Sequence, residues 1–188
     1  MRAVYMEGAP GSLSVIRSAM RDTAQVPVAV WGVGGVLVIL LSSTWRLAGR
    51  SAGLENFELG TVHYVFEALW IAFMLYTEAW RGFHKQFSPR VVQRALDLPR
   101  RPLLILGAPL VCMGLFYATT KRLIISRGLI VGIVALVLLV RQLPEPWREL
   151  VDLGVTIGLG VGTLSLFWRA GWAAMGHEPG VARDFPGE

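Results

Sequence analysis

Charge is what this sequence has least of: 16% of its 188 residues are Asp, Glu, Lys or Arg, against about 25% in soluble chains. With 54% hydrophobic residues and a mean hydropathy of +0.53, that scarcity excludes an ordinary water-soluble domain and a disordered tail. There is one cysteine, Cys112, inside an apolar run, so neither a disulfide framework nor a thiolate metal cluster is available within the chain. H-E-x-x-H, G-x-S-x-G and the phosphate-binding G-x-x-x-x-G-K-[ST] are all missing. A haem held by two histidines needs a second His within an apolar run, but His84 and His177 lie outside the runs. His63 and Glu67 lack the E-x-x-H partners of a di-iron bundle. No cofactor, no metal and no enzymatic activity is therefore expected. The formal charge of +5 does not point to nucleic acid either. The basic residues are almost all arginines and cluster where apolar runs end, as on the cytoplasmic flanks of membrane segments.

What is present is long apolar stretches. A hydrocarbon core about 30 Å thick needs roughly 20 apolar helical residues. Five runs approach that length: residues 26–45, 59–80, 103–120, 123–140 and 151–168. None alternates as a lipid-facing barrel strand does. The expected fold is all-α, a polytopic transmembrane helical bundle of five spans forming a single integral membrane domain over residues 1–188. The first run exceeds a typical signal-peptide core and no A-x-A site follows it, so it is expected to be retained.

Five spans place 11 Lys and Arg on one side and 7 on the other, with the N-terminus cytoplasmic by the positive-inside rule. An alternative has four spans, with residues 103–120 entering and returning at Gly107, Ala108 and Pro109. It divides the basic residues 14 to 4 and puts the C-terminus on the opposite face from the five-span arrangement.

The second run carries the unusual chemistry. At 100° per residue His63, Glu67, Trp70, Met74 and Glu78 share one arc, which continues to Arg81 and Lys85. Glu67 falls ~4 Å from the bilayer centre at 1.5 Å per residue. An acid there costs about 3 kcal/mol on insertion scales. One reading makes it a proton- or cation-responsive site with His63 as relay and Glu78 as exit. The plainer one makes it a neutral acid hydrogen-bonding across the bundle to Tyr117, Thr156 or Ser165. Glu78 and Arg81, three apart at the membrane edge, need only an ion pair or snorkelling.

After this run, Ser88 and Pro89 read as an N-cap and first helical position. They open a short interfacial helix over about 89–98, with Arg90, Arg94, Arg100 and Arg101 as contacts for anionic headgroups. Glu78, Gly82, Phe83, Phe87, Ser88, Pro89, Arg90 and Val91 form an E-x-x-x-G-F-x-x-x-F-S-P-R-V pattern. In this pattern the chain resembles a small family of uncharacterised bacterial inner-membrane proteins. The likeness extends to Arg141-Gln142-Leu143-Pro144 and Pro146-Trp147-Arg148. The resemblance implies a bacterial inner (plasma) membrane and no particular activity.

Gly128 and Gly132, and Gly154, Gly158 and Gly162, recur at four-residue spacing, which lets helix backbones approach closely within the chain or between copies. These features lead us to expect a non-enzymatic scaffold, assembly or modulatory component. Its partners would be anionic lipid, with a membrane protein or a second copy as further candidates. The alternative is a small transporter or proton-linked permease using Glu67 and His63.

Overall fold

The computed structural model describes the backbone of residues 10–177, 179–182 and 184–186, with side chains from residue 25 onward. The basic flank Arg2, Arg17 and Arg21, used above for orientation, lies outside the residues with described side chains. Among the described residues every regular element is helical. They are α1 (Pro10–Ser51), a 3-10 turn (Ala52–Asn56), α2 (Thr61–Met74), a π-helix (Leu75–Phe87), α3 (Ser88–Leu96), α4 (Pro102–Leu106), α5 (Ala108–Cys112), α6 (Thr120–Val140) and α7 (Trp147–Ala174).

Three helices are long and apolar enough to cross a membrane: Gln25–Asn56, Thr120–Val140 and Trp147–Ala174. They contain the first, fourth and fifth runs. The second run lies in α2 and the π-helix, a continuous winding that is α-helical only as far as Met74.

The third run, residues 103–120, is not one helix, and the fold does not reproduce the expected five spans. Its breakers act in order. Pro102 starts α4, Gly107 ends it at φ −87° and ψ 14°, and Pro109 sits in the first turn of α5. Gly114 then takes the left-handed φ of +78°, which reverses the chain toward α6.

Glycine-rich α7 is the hub of the bundle, against its weak hydropathy. It runs antiparallel to α1, with Thr44 opposite Gly160 and Gly53, in the 3-10 turn that follows α1, opposite Glu149. It runs parallel to α2 and the π-helix. His63 and Phe66 pack on Trp147 at ring separations of 4.9 and 5.3 Å, and Trp70 Nε1 donates to Val151 O at 3.1 Å. Further along, Phe83 lies over Gly162 and His84 meets Ser165 at 2.9 Å. The glycines make this approach possible. A Cβ on Gly154 would collide with the Trp70 indole, one on Gly158 would sit 3.0 Å from Glu78 Oε2, and one on Gly162 would lie 2.5 Å from Phe83 Cγ.

The main core joins Val33, Val36 and Leu40 of α1 to Val91, Val92 and Ala95 of α3, Cys112 of α5 and Leu166 of α7. Helix α3, expected as an interfacial helix over about 89–98, packs into the core of the bundle: Val91 through Ala95 are all buried. Nor does Ser88 cap a new helix. The chain enters α3 from the π-helix without leaving helical geometry, and Ser88 Oγ is buried without a hydrogen-bond partner. Pro89 has no N–H and crowds the carbonyl four residues back. The wider i→i+5 turns ending at Phe87 give its ring room.

Helix α6 stands apart. Ser126 is its buried residue, and nearly all of its apolar side chains from Leu129 to Leu139 are exposed. Nothing lies within 4 Å of a Cβ built on Gly128 or Gly132, so these two glycines serve no packing within the chain.

Gly154→Ala should destabilise the solubilised protein by about 2 kcal/mol, because overfilling a packed contact displaces Trp70. Gly132→Ala should be neutral or stabilising by up to about 1 kcal/mol through helix propensity. Thermal unfolding in detergent checks both.

Candidate functional site

The polar side chains predicted on the second run lie along the contact with α7, but they do not join one another. His63 Nδ1 accepts the Gly60 N–H at 3.1 Å, and its ring packs on Trp147. It serves the helix start rather than Glu67. Both carboxyl oxygens of Glu67, and Oε2 of Glu78, are buried without a hydrogen-bond partner. The partners suggested for Glu67 across the bundle are engaged elsewhere. The Thr156 hydroxyl donates to Asp152 O at 2.7 Å, Ser165 bonds His84, and Tyr117 packs on Phe185 at 5.8 Å.

The π-helix changes which residues face α7. An i→i+5 winding advances more slowly than 100° per residue. After Met74 the inward positions fall on Glu78, Phe83 and His84, while Arg81 and Lys85, expected on the same arc, are exposed. Lys85 instead folds over the Trp80 ring, 5.3 Å from its centroid, and Trp80 stacks on His84 at 4.8 Å. What this interface offers chemically is a pair of acids with three buried, unbonded oxygens. Among the described residues no three His, Cys, Asp or Glu side chains converge to hold a metal.

The tightest polar arrangement lies elsewhere, around Arg94. Its side chain is 1% exposed, so it is not available to headgroups as expected above. Nε donates to Val111 O at 2.9 Å, and Nη2 donates to Tyr117 O at 2.9 Å and Phe116 O at 3.4 Å. Nη1 donates to Asp184 O at 3.3 Å, while the guanidinium lies over the Phe185 ring, 4.6 Å from its centroid. These carbonyls belong to the end of α5, to the turn after it and to the C-terminal segment; Val111 O also accepts the Gly114 N–H at 2.9 Å. Tyr117 and Asp184 both take positive φ, 49° and 56°, a conformation unfavourable for side-chain-bearing residues. Arg94 holds both carbonyls. The Thr119 N–H donates to Asp184 O at 2.8 Å, and the Gly180 N–H to Gln93 Oε1 at 3.2 Å, which completes the strap over α3.

The other three predicted basic residues are divided. Arg90 is half-buried, whereas Arg100 and Arg101 are exposed. Arg100 Nε donates to Gln25 Oε1 at 3.1 Å, and Arg101 lies over the Tyr117 ring at 5.8 Å. The role of Arg94 had one local signal: it is the cation three residues after Val91 and next to Ala95, on the stripe those two form. Its acceptors lie 17 to 90 residues away, which no local pattern shows. The motif residues Phe83, Phe87, Ser88, Pro89 and Val91 are packing residues at the join of the π-helix and α3.

Arg94→Ala should cost about 3 kcal/mol or more, since several buried carbonyls lose a charged donor. Arg94→Lys should recover only part of this, because a point-charged ammonium cannot reproduce the planar fork. Unfolding midpoints of the two variants in detergent measure the difference. Set against known proteins, the chain matches no family model, no curated protein and no solved structure. The resemblance carried by residues 78–91 and 141–148 therefore rests on those residues alone.

Proposed function

We propose that this chain is a multi-pass protein of a bacterial inner membrane, with four spans and both termini cytoplasmic. Its role is that of a non-enzymatic scaffold or assembly component that presents α6 to another membrane-embedded helix. The observation that carries this reading is the isolation of α6. Its 21 residues extend about 31 Å at 1.5 Å per residue, the thickness of a hydrocarbon core. From Gly128 to Val140 it is apolar around its circumference, and its Gly128–Gly132 seam has no neighbour within the chain. Small residues so spaced admit a second backbone at close range in lipid.

The four-span arrangement draws support from the broken path of residues 103–119 and from the antiparallel pairing of α1 with α7. It places 14 of the 18 Lys and Arg on the cytoplasmic side. A reporter enzyme active only in the cytoplasm, fused to the C-terminus, should be active. Activity of a periplasm-specific reporter at that end would return the chain to five spans.

Affinity capture from solubilised membranes should yield one stoichiometric partner that Gly132→Leu loses without lowering the unfolding midpoint. Capture of no partner, or of the same partner by Gly132→Leu, removes the scaffold reading. Cross-linking only to itself replaces the foreign helix with a second copy.

The unbonded oxygens of Glu67 and Glu78 favour a second reading, a proton-linked permease. Reconstituted protein would then show pH-dependent flux that Glu67→Gln abolishes, whereas a scaffold tolerates that near-isosteric change.

A further inference from the structure

We propose that residues 102–116 form a hairpin immersed in one leaflet of the bilayer, and that Arg101, Lys121 and Arg127 at its base gather the headgroups of anionic phospholipids. The inference rests on the membrane reading, and on the four-span arrangement for the identity of that leaflet, which is then the cytoplasmic one.

Helix α1 is the depth gauge, because its residues meet the hairpin in order. At the start of the apolar run of α1, Gln25 Nε2 donates to Leu98 O at 2.9 Å, and Val28 packs with Leu98. Further along, Trp31 Nε1 donates to Ile105 O at 3.0 Å, and the point where a Cβ on Gly35 would stand falls against the Pro109 ring. The return limb meets α1 in reverse order. Cys112 lies beside Gly32, its Sγ 2.9 Å from the position of the absent Cβ, and Val111 and Tyr117 join the cluster of Val28. Ten residues separate Gln25 from Gly35, about 15 Å at 1.5 Å per residue, or half of a hydrocarbon core about 30 Å thick. The hairpin therefore turns at mid-depth. Backbone that is not helical survives there only where protein satisfies it. Trp31 does so for Ile105 O, and Arg94 for Phe116 O and Tyr117 O.

The side of the hairpin turned away from the bundle is apolar and bare. Ala108, Val111 and Cys112 are buried in the core, whereas Leu103 and Leu106 are 82% and 76% exposed, and Leu110 and Phe116 are exposed as well. Hydrocarbon is the surrounding that such side chains favour over water. Charge selects the lipid. From Leu98 to Pro144 the sequence has no Asp or Glu, and five of its six basic residues, Arg100, Arg101, Lys121, Arg122 and Arg127, flank the hairpin. Arg101, Lys121 and Arg127 are exposed. Arg101 lies over the Tyr117 ring at 5.8 Å, and Arg127 lies over the Phe116 ring at 6.0 Å. Cations on aromatic rings beside bare leucines make up a membrane boundary, where each basic residue gains from anionic headgroups. The interfacial element expected over about 89–98 is thus supplied by the segment that follows it.

Three measurements on the full-length protein test this. In right-side-out and inside-out membrane vesicles, an impermeant maleimide should reach Pro102→Cys and Thr120→Cys from the same side. Nitroxides on Leu106→Cys and Leu110→Cys, in reconstituted vesicles, should collide with oxygen in preference to a water-soluble nickel chelate. These variants carry Cys112→Ser or, should that change prevent folding, retain the buried Cys112. In native mass spectrometry the wild-type protein should retain phosphatidylglycerol at least tenfold over phosphatidylcholine. Arg101→Gln and Arg127→Gln should each lower that preference about threefold, and the triple change that adds Lys121→Gln should abolish it. Arg141→Gln, an exposed cation at the far end of α6, should leave it unchanged. Labelling from opposite sides overturns both the hairpin and the four-span arrangement. Same-side labelling with chelate-accessible nitroxides overturns immersion alone and leaves four spans standing. Headgroup binding is overturned if wild type shows no preference, if the triple variant keeps it, or if Arg141→Gln loses as much as Arg101→Gln.

Discussion

A guanidinium surrounded by backbone carbonyls sets the architecture. Residues 113–119 and the C-terminal segment run as irregular backbone against a packed core, where an unsatisfied carbonyl is costly. Arg94 supplies N–H groups to three of those carbonyls and to Val111 O from one planar group and covers itself with Phe185. Arg94 fastens the third apolar run, broken at Gly107 and Gly114, against the bundle. Burial of the arginine and irregularity of the chain support each other: the guanidinium finds acceptors, and it adds a donor to carbonyls of which Val111 O and Asp184 O also accept backbone N–H groups.

The second constraint is close approach along α7. Glycines four residues apart leave a groove, and α2 with the π-helix lays Trp70, Met74, Glu78 and Phe83 into it. An unbroken α-helix would turn Arg81 and Lys85 into that groove after Glu78. The slower winding of the π-helix turns Phe83 and His84 there and leaves the two cations outside. The price is a weaker hydrogen-bonding geometry over 13 residues, offset by aromatic packing on Gly162 and the His84–Ser165 bond.

Around this tightly joined group α6 contributes almost no contact. It connects the Arg94 face of the bundle to the start of α7, and its apolar surface is left for surroundings other than its own chain. The proposed scaffold role belongs to this helix, along its Gly128–Gly132 seam.

The all-helical fold, the helices at residues 26–45, 123–140 and 151–168, and the close-approach character of Gly154, Gly158 and Gly162 were legible in the amino-acid order. Length, hydropathy and four-residue spacing are local sums, and local sums survive folding. The arc of His63, Glu67, Trp70 and Met74 was legible for the same reason, up to the residue where α winding ends. Tertiary structure decided the rest. It chose the π register beyond Met74, because only packing on α7 favours one inward set of side chains over another. It broke residues 103–120 at glycines and prolines that a lone helix would accommodate as a kink, and it drew Arg94 inward to carbonyls as distant as Asp184. It also left Gly128 and Gly132 bare although their spacing matches that of the glycines on α7. A glycine pair states that a backbone can come near; which backbone does so depends on topology, and topology is fixed by contacts between residues far apart in the chain.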